Sequence, residues 1–153
     1  MLFDLQLEFE KLTISLNSKS DKFLFNQISN KFGLVEDLRI SPSWHPGFSP
    51  VFTSWPQKII IMNSAWFTLE SLLACPCTRI KLGCSPLGDK DVDEILQKWK
   101  AGGFPYLEYL FVEGESISNR WNRWMVIQTD DVSKKATIHT DYKRIEISVT
   151  PFD

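Results

Sequence analysis

The sequence feature that most constrains the fold is an apolar pattern that returns five times in the first three quarters of the chain. Each copy has apolar residues at the first, fourth and sixth positions of a short segment. The five segments are Phe9–Ile14, Val35–Ile40, Pro56–Ile61, Cys77–Leu82 and Leu107–Val112. Their central apolar residues, at positions 12, 38, 59, 80 and 110, are 26, 21, 21 and 30 positions apart. Leucine-rich repeats combine this pattern with a period of about 20–29 residues. The spacing therefore predicts an α/β protein, a short leucine-rich-repeat-like solenoid with a mainly parallel sheet.

A second position recurs with the same spacing, three residues after the last apolar residue of each copy. The residues there are Asn17, Ser43, Ser64, Ser85 and Glu115. Four of the five have small side chains that can hydrogen-bond to backbone groups where the chain leaves a strand. Because two aligned features recur together, the repeat is favoured over a chance series of short apolar strands.

The segments between the repeats contain helical patterns. Residues 21–32 place Leu24, Phe25 and Ile28 on one face, and Gly33 is expected to end this helix. Strands that alternate with helices imply right-handed crossovers and a mainly parallel sheet.

Two further helices are predicted downstream. Trp66–Leu73 forms a shorter stretch that ends before Pro76. The clearest pattern is Asp91–Lys100, where Asp91 is expected to cap the start with Glu94 as its partner.

The last part of the chain has a different character. Trp124–Thr129, Ala136–Thr140 and Arg144–Thr150 are predicted strands joined by short polar turns, which implies antiparallel pairing. We expect these strands to cap the open end of the repeat sheet. The chain is predicted to be a single domain, with a repeat-like α/β part over residues 1–117 and an antiparallel C-terminal cap over residues 118–153.

Length and charge exclude several classes of protein. The chain has 153 residues, with 17 Lys and Arg against 19 Asp and Glu, a net charge of −2. This balance argues against a nucleic-acid partner, which would require an excess of cations. There is no run of about 18 apolar residues that could span a membrane. The N-terminus lacks the pattern of a signal peptide, so an intracellular location, cytoplasmic or nuclear, is expected.

Six Trp and eleven Phe are more aromatic residues than a small core needs, so some are candidates for binding. The Pro-rich stretch Ser41–Pro56 is predicted to be a loop with partly exposed aromatic side chains. Arg and Trp are enriched at the centres of protein interfaces, which makes the cluster from Arg120 to Trp124 a second candidate. The predicted protein-binding residues are Trp44, His45, Phe48, Tyr106, Tyr109, Arg120, Trp121, Arg123 and Trp124. Tyr109 is expected to face outward, between the inward Leu107 and Leu110.

Three cysteines, Cys75, Cys77 and Cys84, lie within ten positions of one another. Their spacing lacks the Cys-x-x-Cys knuckle of zinc sites, so no metal and no cofactor are expected. Small buried apolar residues are the favoured interpretation of all three. A cysteine nucleophile would need a histidine and an orienting acid nearby, and no motif supplies them. The chain is therefore predicted not to be an enzyme, and a small cysteine hydrolase is kept as a minor alternative.

One segment resembles a known family. Between Leu72 and Gly114 the fourth repeat strand is followed by a helix and by a short motif that contains the fifth repeat strand. The residues concerned are Cys77, Ile80, Leu82, Lys98-Trp99, Gly102, Pro105 and Leu107-Glu108-Tyr109-Leu110. This segment resembles the F-box associated domain (type 2) of nematode F-box proteins. Lys135-Ala136-Thr137-Ile138 is similar to the ending of that family, with less distinctive residues.

The resemblance implies a substrate-recognition module of a Skp1–cullin–F-box (SCF) ubiquitin ligase. In such proteins the F-box binds Skp1 and the associated domain holds the target protein. No F-box precedes the associated segment in this sequence, so we expect a fragment, a truncated paralogue or a free-standing domain. Skp1 is accordingly an expected partner only if an F-box lies upstream in the full-length product. The alternative is a stand-alone repeat module that binds proteins without a link to ubiquitination.

Overall fold

The computed structural model describes residues 9–15, 19–41, 50–118 and 123–151. Within these ranges the chain forms eight strands and three α-helices. The strands are β1 (Phe9–Ile14), β2 (Val35–Ile40), β3 (Lys58–Ile61), β4 (Arg79–Leu82), β5 (Tyr109–Glu113), β6 (Arg123–Gln128), β7 (Lys134–Asp141) and β8 (Arg144–Pro151). The helices are α1 (Lys19–Ile28), α2 (Leu69–Ala74) and α3 (Asp89–Lys100). None of these three helices has the length and apolar character needed to cross a lipid bilayer.

All eight strands belong to one mixed sheet, in the order β1-β2-β3-β4-β5-β8-β7-β6. The first five strands are parallel and follow chain order. The last three are antiparallel, and β8 joins them to β5. The structure thus confirms a mixed α/β fold in which parallel strands are followed by an antiparallel C-terminal group.

The central apolar residues of the five repeats are aligned across the sheet. Leu12 pairs with Leu38, Leu38 with Ile59, Ile59 with Ile80, and Ile80 with Leu110. The predicted repeat is therefore confirmed at the level of strand register. Because side chains alternate between the two faces of a strand, this alignment sends the fourth and sixth positions of every repeat to one face.

The hydrophobic core lies on that face, beneath the helices. Inward residues of the parallel strands, such as Leu38 and Ile80, pack in one cluster with Phe25 of α1, Leu72 of α2 and Ile95 of α3. The antiparallel strands continue the core, with the buried residues Ala136, Ile138, Ile145 and Ile147. Helices and core thus occupy one side of the sheet, which determines where a binding surface can lie.

Serine side chains satisfy backbone groups where two strands end, as the sequence predicts. The buried Ser64 hydroxyl donates to the Gly83 carbonyl at 2.8 Å, and the Ser64 N–H donates to the same oxygen. One repeat later, the Ser85 N–H donates to the Glu113 carbonyl, and Ser85 Oγ accepts from the Leu87 N–H. The turns that follow β3 and β4 are therefore built alike. Asn17 and Ser43, the equivalent residues of the earlier repeats, lie outside the described residues.

The first predicted helix differs from the observed one. The α-helix ends at Ile28, and a 3₁₀ helix continues from Ser29 to Leu34. Gly33 lies inside this 3₁₀ helix, so the prediction that it ends the α-helix is wrong. Leu24 is exposed although Phe25 is buried, because residues adjacent in sequence point about 100° apart on a helix.

The starts of the other two helices also differ from the sequence prediction. Helix α2 begins at Leu69, because the Thr68 side chain caps it by accepting from the Ser71 N–H. Helix α3 begins at Asp89, with Gly88 in the capping position. The prediction that Asp91 is the residue before the first turn is wrong, because Asp91 lies inside that turn. Its carboxylate accepts a hydrogen bond from the Gly88 N–H at 2.8 Å.

Part of the aromatic excess is used in a cluster on the core side. Phe52 stacks on Trp55 with ring centroids 4.3 Å apart, and it also meets Phe25 and Phe67 edge to face. The buried Ser29 hydroxyl donates to the Val51 carbonyl and holds the same segment. Residues 50–57 are therefore fixed against the core between β2 and β3.

Ile59 and Ile60 provide a matched test of the two faces of the sheet. Ile59 is fully buried and Ile60, its neighbour in β3, points to the opposite face and is half-buried. We expect Ile59→Ala to lower the free energy of unfolding by about 2–5 kcal/mol, since it removes core contacts and leaves a cavity. Ile60→Ala should cost about 1 kcal/mol or less, since part of its side chain is already in water. Urea denaturation measures both, and equal costs would contradict the assigned register.

Candidate protein-binding surface

The face of the sheet opposite the helices carries two complete rows of side chains. The first row, in sheet order, is Lys11, Asp37, Lys58, Arg79, Tyr109, Ser148, Thr137 and Val126. The second row is Thr13, Arg39, Ile60, Lys81, Phe111, Glu146, His139 and Trp124. We call these sixteen residues the open face, because the described helices all pack on the other side of the sheet.

The open face is locally cationic although the chain is slightly acidic. Its two rows contain five cationic residues, Lys11, Arg39, Lys58, Arg79 and Lys81, and two carboxylates, Asp37 and Glu146. The net charge of the face is therefore +3, against −2 for the whole chain. All five cations lie on the parallel strands β1–β4, so the charge is concentrated on one half of the sheet.

Two of these cations stack on aromatic rings of the neighbouring strand. The Arg79 guanidinium carbon lies 4.6 Å from the centre of the Tyr109 ring, and the Lys81 ammonium lies 5.1 Å from the centre of the Phe111 ring. Cation–π contacts of this kind contribute about 0.5–1 kcal/mol at exposed sites. They hold both charged groups against β5, and neither cation forms an ion pair with a carboxylate among the described residues.

Tyr109 is also linked to the antiparallel half of the sheet through Glu146 on β8. Its hydroxyl lies close enough to the Glu146 carboxylate for the two groups to interact. Burial raises the pKa of the Tyr109 hydroxyl above its usual value, and the negative charge of Glu146 raises it further, while Arg79 acts in the opposite direction. Arg79, Tyr109 and Glu146 thus form a connected polar chain across three strands.

The other cations of this half have weak partners. Arg39 lies 3.6 Å from the Asp37 carboxylate, and Lys58 lies 3.4 Å from the Glu36 carboxylate. All four side chains are partly exposed, and surface ion pairs of this kind are worth about 0–1 kcal/mol. Asp37 Oδ1 and Arg39 Nε have no hydrogen-bond partner among the described residues. These pairs can therefore open to meet another charged group at little cost.

A shallow depression of about 580 Å³ lies in the middle of the open face. Its lining comes from β2, β3, β4, β5 and β8, and includes Lys58, Ile60, Arg79, Lys81 and Tyr109. Ile60 provides an apolar floor between the cations of neighbouring strands. The depression thus combines an apolar centre with a rim of three cations, Lys58, Arg79 and Lys81, and two carboxylates, Asp37 and Glu146. Protein interfaces use mixed surfaces of this kind.

The far end of the open face carries a second aromatic pair. Trp124 on the edge strand β6 stacks on His139 of β7, with centroids 4.1 Å apart. Its side chain remains 71% exposed. Of the sequence-predicted residues, Tyr109 and Trp124 thus lie on the same face of one sheet, and the prediction that Tyr109 points away from the core is confirmed. Arg123 begins strand β6.

Tyr106, another of the predicted residues, does not belong to this surface. Tyr106 is 67% exposed but lies in the loop before β5, beside Lys98 and the buried Cys75, in a separate depression. Five predicted residues lie outside the described residues: Trp44, His45, Phe48, Arg120 and Trp121.

Sequence reasoning missed the cations of the face, although a signal for them exists. Arg79 and Lys81 flank Ile80, the central apolar residue of its repeat, and Tyr109 and Phe111 flank Leu110 in the same way. In a repeat of parallel strands, such flanking residues all point to the face that the helices leave uncovered. Comparing the flanking positions across repeats would have found the surface.

The cysteines do not form a reactive site in the described part of the chain. Cys75 and Cys77 are buried, and the Cys77 thiol donates to the Pro56 carbonyl at 3.1 Å. Its hydrogen bond with Cys75 and its burial raise the pKa of the Cys77 thiol far above the usual range, which disfavours the thiolate. Cys84 is exposed, so the interpretation of all three as buried is wrong for this residue. It lies in the turn just after β4, where the chain has already left the core face.

Metal-ligating residues are likewise not gathered together within the described ranges. No group of three or more His, Cys, Asp and Glu side chains there is arranged to hold a metal ion.

Comparison with known families supports the resemblance read from the sequence. A family model described as F-box associated matches residues 51–112. This segment is similar to the F-box associated family. The match covers about two fifths of the chain and includes β3, α2, β4, α3 and most of β5. Among curated proteins and among solved structures, none matches the chain.

The F-box associated match begins upstream of the segment that the sequence motifs single out. It includes Val51 to Pro56, and therefore the Phe52–Trp55 stack that anchors the chain before β3. It also contains Ile60, Arg79 and Lys81 at the centre of the open face. The match ends at Val112, before the antiparallel strands that supply Glu146.

Titration of Tyr109 tests the polar chain on the open face. Because burial and the Glu146 carboxylate both disfavour the tyrosinate, Tyr109 should ionise at a higher pH than a free tyrosine, and Glu146→Gln should move its titration to lower pH. The difference between the ultraviolet titrations of the unmodified protein and Tyr109→Phe isolates this group. Glu113→Gln, at the other end of β5, is the matched control and should leave the titration unchanged. If Glu146→Gln instead made Tyr109 ionise at a higher pH, the assigned contact would be contradicted.

Thiol labelling tests the burial of the cysteines. In the folded protein at neutral pH, one of the three thiols, Cys84, should react rapidly with a chromogenic disulfide reagent, and Cys84→Ser should remove that reaction. Cys75 and Cys77 should react only after denaturation. Rapid labelling of either residue in the folded state would contradict their burial and would favour the cysteine-hydrolase alternative.

Proposed function

We propose that this chain is a non-catalytic protein-binding domain that recognises the target of an SCF-type ubiquitin ligase, of the kind found in nematode F-box proteins. The observation that carries the proposal is the open face, whose central strands β3, β4 and β5 fall in the segment similar to the F-box associated family. An intracellular location, cytoplasmic or nuclear, belongs to the same proposal.

The architecture of the open face supports a binding role. Its side chains project from strands of a sheet whose other side is buried, so their positions are largely fixed before a partner arrives. Arg79 and Lys81 are further held by their contacts with Tyr109 and Phe111. Such preorganisation lowers the entropic cost of binding, because fewer side chains must be ordered in the complex.

The proposal is non-catalytic because a reactive cysteine, the enzyme mechanism that the sequence left open, gains no support from the surroundings of Cys77. The raised pKa of Cys77 disfavours its thiolate, and the imidazole of His139 stacks on Trp124 at the far end of the sheet. A ligase adaptor needs no reactive group of its own. It raises the effective concentration of a target near the ubiquitin-carrying enzyme, and binding alone achieves this.

We further infer that the parallel half is a short leucine-rich-repeat-like solenoid. The in-register apolar residues and the similar turns at Ser64 and Ser85 support this inference, as does the placement of every described helix on one side of the sheet. In such an arrangement each repeat adds one strand to the face that carries the binding residues.

A stand-alone protein-interaction module without a link to ubiquitination is the alternative. It uses the same open face, and the two functions differ only in what the rest of the assembly contains. Skp1 is a partner only if the full-length product includes an F-box.

Affinity capture from cells that express the protein tests the proposal. With the proteasome inhibited, the tagged chain should retain a specific protein that carries ubiquitin and that accumulates when the gene is silenced. Arg79→Glu combined with Lys81→Glu should lose this protein, because the change reverses two charges at the centre of the open face. Lys90→Glu combined with Lys100→Glu makes the same change in charge on α3 and should retain it.

The same experiment separates the alternatives. Recovery of Skp1 and a cullin with the full-length product supports the ligase role. A retained partner that is neither ubiquitinated nor stabilised by silencing would favour the stand-alone module. Retention by the Arg79→Glu and Lys81→Glu variant at the level of the unmodified chain would contradict the assignment of the surface.

A further inference from the structure

We propose that the central depression of the open face binds an extended acidic segment of a partner protein, with Arg79 and Lys81 as the main contacts for its carboxylates. This inference rests on the proposed protein-binding function and adds the chemistry of the ligand. The surface it concerns is the depression of about 580 Å³ whose lining includes Lys58, Ile60, Arg79, Lys81 and Tyr109, with the carboxylates of Asp37 and Glu146 at its two ends.

Charge complementarity is the first argument. The net charge of the open face is +3, and three of its cations, Lys58, Arg79 and Lys81, line the depression on the adjacent strands β3 and β4, against two carboxylates on β2 and β8. Arg79 and Lys81 form no ion pair with a carboxylate among the described residues, while their contacts with aromatic rings hold them in place. A carboxylate that reaches them gains charge-assisted hydrogen bonds without displacing an existing anion.

The spacing of these cations is the second argument. Arg79 and Lys81 are two residues apart on β4, so their side chains rise from the same face about 6.7 Å from one another. An extended peptide repeats its side chains on one face at the same interval. Acidic residues at alternate positions of such a peptide would therefore meet both cations when the peptide lies along β4.

The third argument comes from the apolar floor. Ile60 lies beside Lys81 in the second row, and Phe111 lies on its other side. These side chains offer contact to an aliphatic or aromatic residue of the ligand next to its carboxylates. A binding site of this kind selects an acidic segment that also contains apolar residues, rather than negative charge alone.

A nucleic acid fits the same surface less well. The rows contain the carboxylates Asp37 and Glu146, which would repel a phosphate backbone that follows the cations across the sheet. Both carboxylates line the depression, Asp37 beside Arg39 and Glu146 close to the Tyr109 hydroxyl. A short peptide along β4 can place its acidic residues on Arg79 and Lys81 without crossing either of them.

Selection from a random peptide library displayed on phage tests the proposal with the full chain. Peptides that bind the unmodified protein should be enriched in Asp and Glu at alternate positions, together with apolar residues. A synthetic copy of the most enriched peptide should bind about tenfold to hundredfold more weakly to Arg79→Glu combined with Lys81→Glu, and its affinity should fall as salt is added. The same selection against that variant should lose the acidic preference and enrich Lys and Arg.

Matched controls and competing outcomes complete the design. Lys90→Glu combined with Lys100→Glu on α3 should select the same acidic peptides as the unmodified chain. Circular dichroism of each variant checks that it is folded, and Arg79→Gln combined with Lys81→Gln provides a milder change if charge reversal unfolds the protein.

Two results would overturn the inference. One is the absence of acidic enrichment with the unmodified chain. The other is tight binding of a single-stranded or double-stranded oligonucleotide that the same variant abolishes. If acidic enrichment is absent while the cellular partner is still lost with the Arg79→Glu and Lys81→Glu variant, the proposed function stands and only the ligand chemistry is wrong.

Discussion

The structure depends on the burial of one row of aliphatic side chains that runs across the sheet. In the parallel half this row consists of Leu12, Leu38, Ile59, Ile80 and Leu110, and β8 extends it with Ile147. Full burial of such a side chain contributes about 1.5–3 kcal/mol to the stability of the fold. A slip of one residue in any strand would turn the apolar side chain of that strand to the opposite face, into water. The same alignment sets the opposite face, since residues that flank the row must point away from the core. Core packing thus determines the positions of Arg79, Lys81, Tyr109 and Phe111, although they contribute little to the core.

The antiparallel strands complete the surface as well as the sheet. Strand β8 pairs with β5 and brings Glu146 to the Tyr109 hydroxyl, so the polar chain on the open face includes a residue that lies far downstream of the segment similar to the F-box associated family. A fragment limited to residues 51–112 would lack this contact. It would also expose the edge of β5, whose unpaired backbone groups could pair with other chains. The C-terminal strands therefore belong to the proposed binding surface.

The repeat was predictable because the apolar pattern and its spacing determine strand parity and strand order together. The places where prediction failed depend on local geometry that the pattern does not encode. Leu24 fits the predicted helical face, but Phe25 is the residue that is buried beneath α1. Gly33 does not end the α-helix, because it lies inside the 3₁₀ helix that follows. Cys84 is exposed because strand β4 ends at Leu82 and the chain then turns away from the core.

The candidate site was predictable only in part, for a related reason. Tyr109 and Trp124 could be chosen from their residue type and position, whereas Arg79 and Lys81 look like ordinary polar residues of a strand. Their significance comes from neighbours that are 21 to 30 positions away in sequence, such as Lys58 and Tyr109. A search for clusters along the chain therefore favoured the segment around Trp121 and missed the cluster that the sheet assembles.

Local charge, rather than the sum over the chain, decides what this surface attracts. At physiological ionic strength the screening length is about 8 Å, so a ligand over Arg79 and Lys81 senses little of the acidic residues on the far side of the sheet. The net charge of −2 correctly describes an ordinary acidic protein, but it averages over two faces with different character. The open face has a net charge of +3, and its carboxylates, Asp37 and Glu146, line the depression from β2 and β8, each two strands away from β4. The positions of the cations and carboxylates on the open face, rather than the net charge of the chain, give the face a preference for short acidic segments over long polyanions.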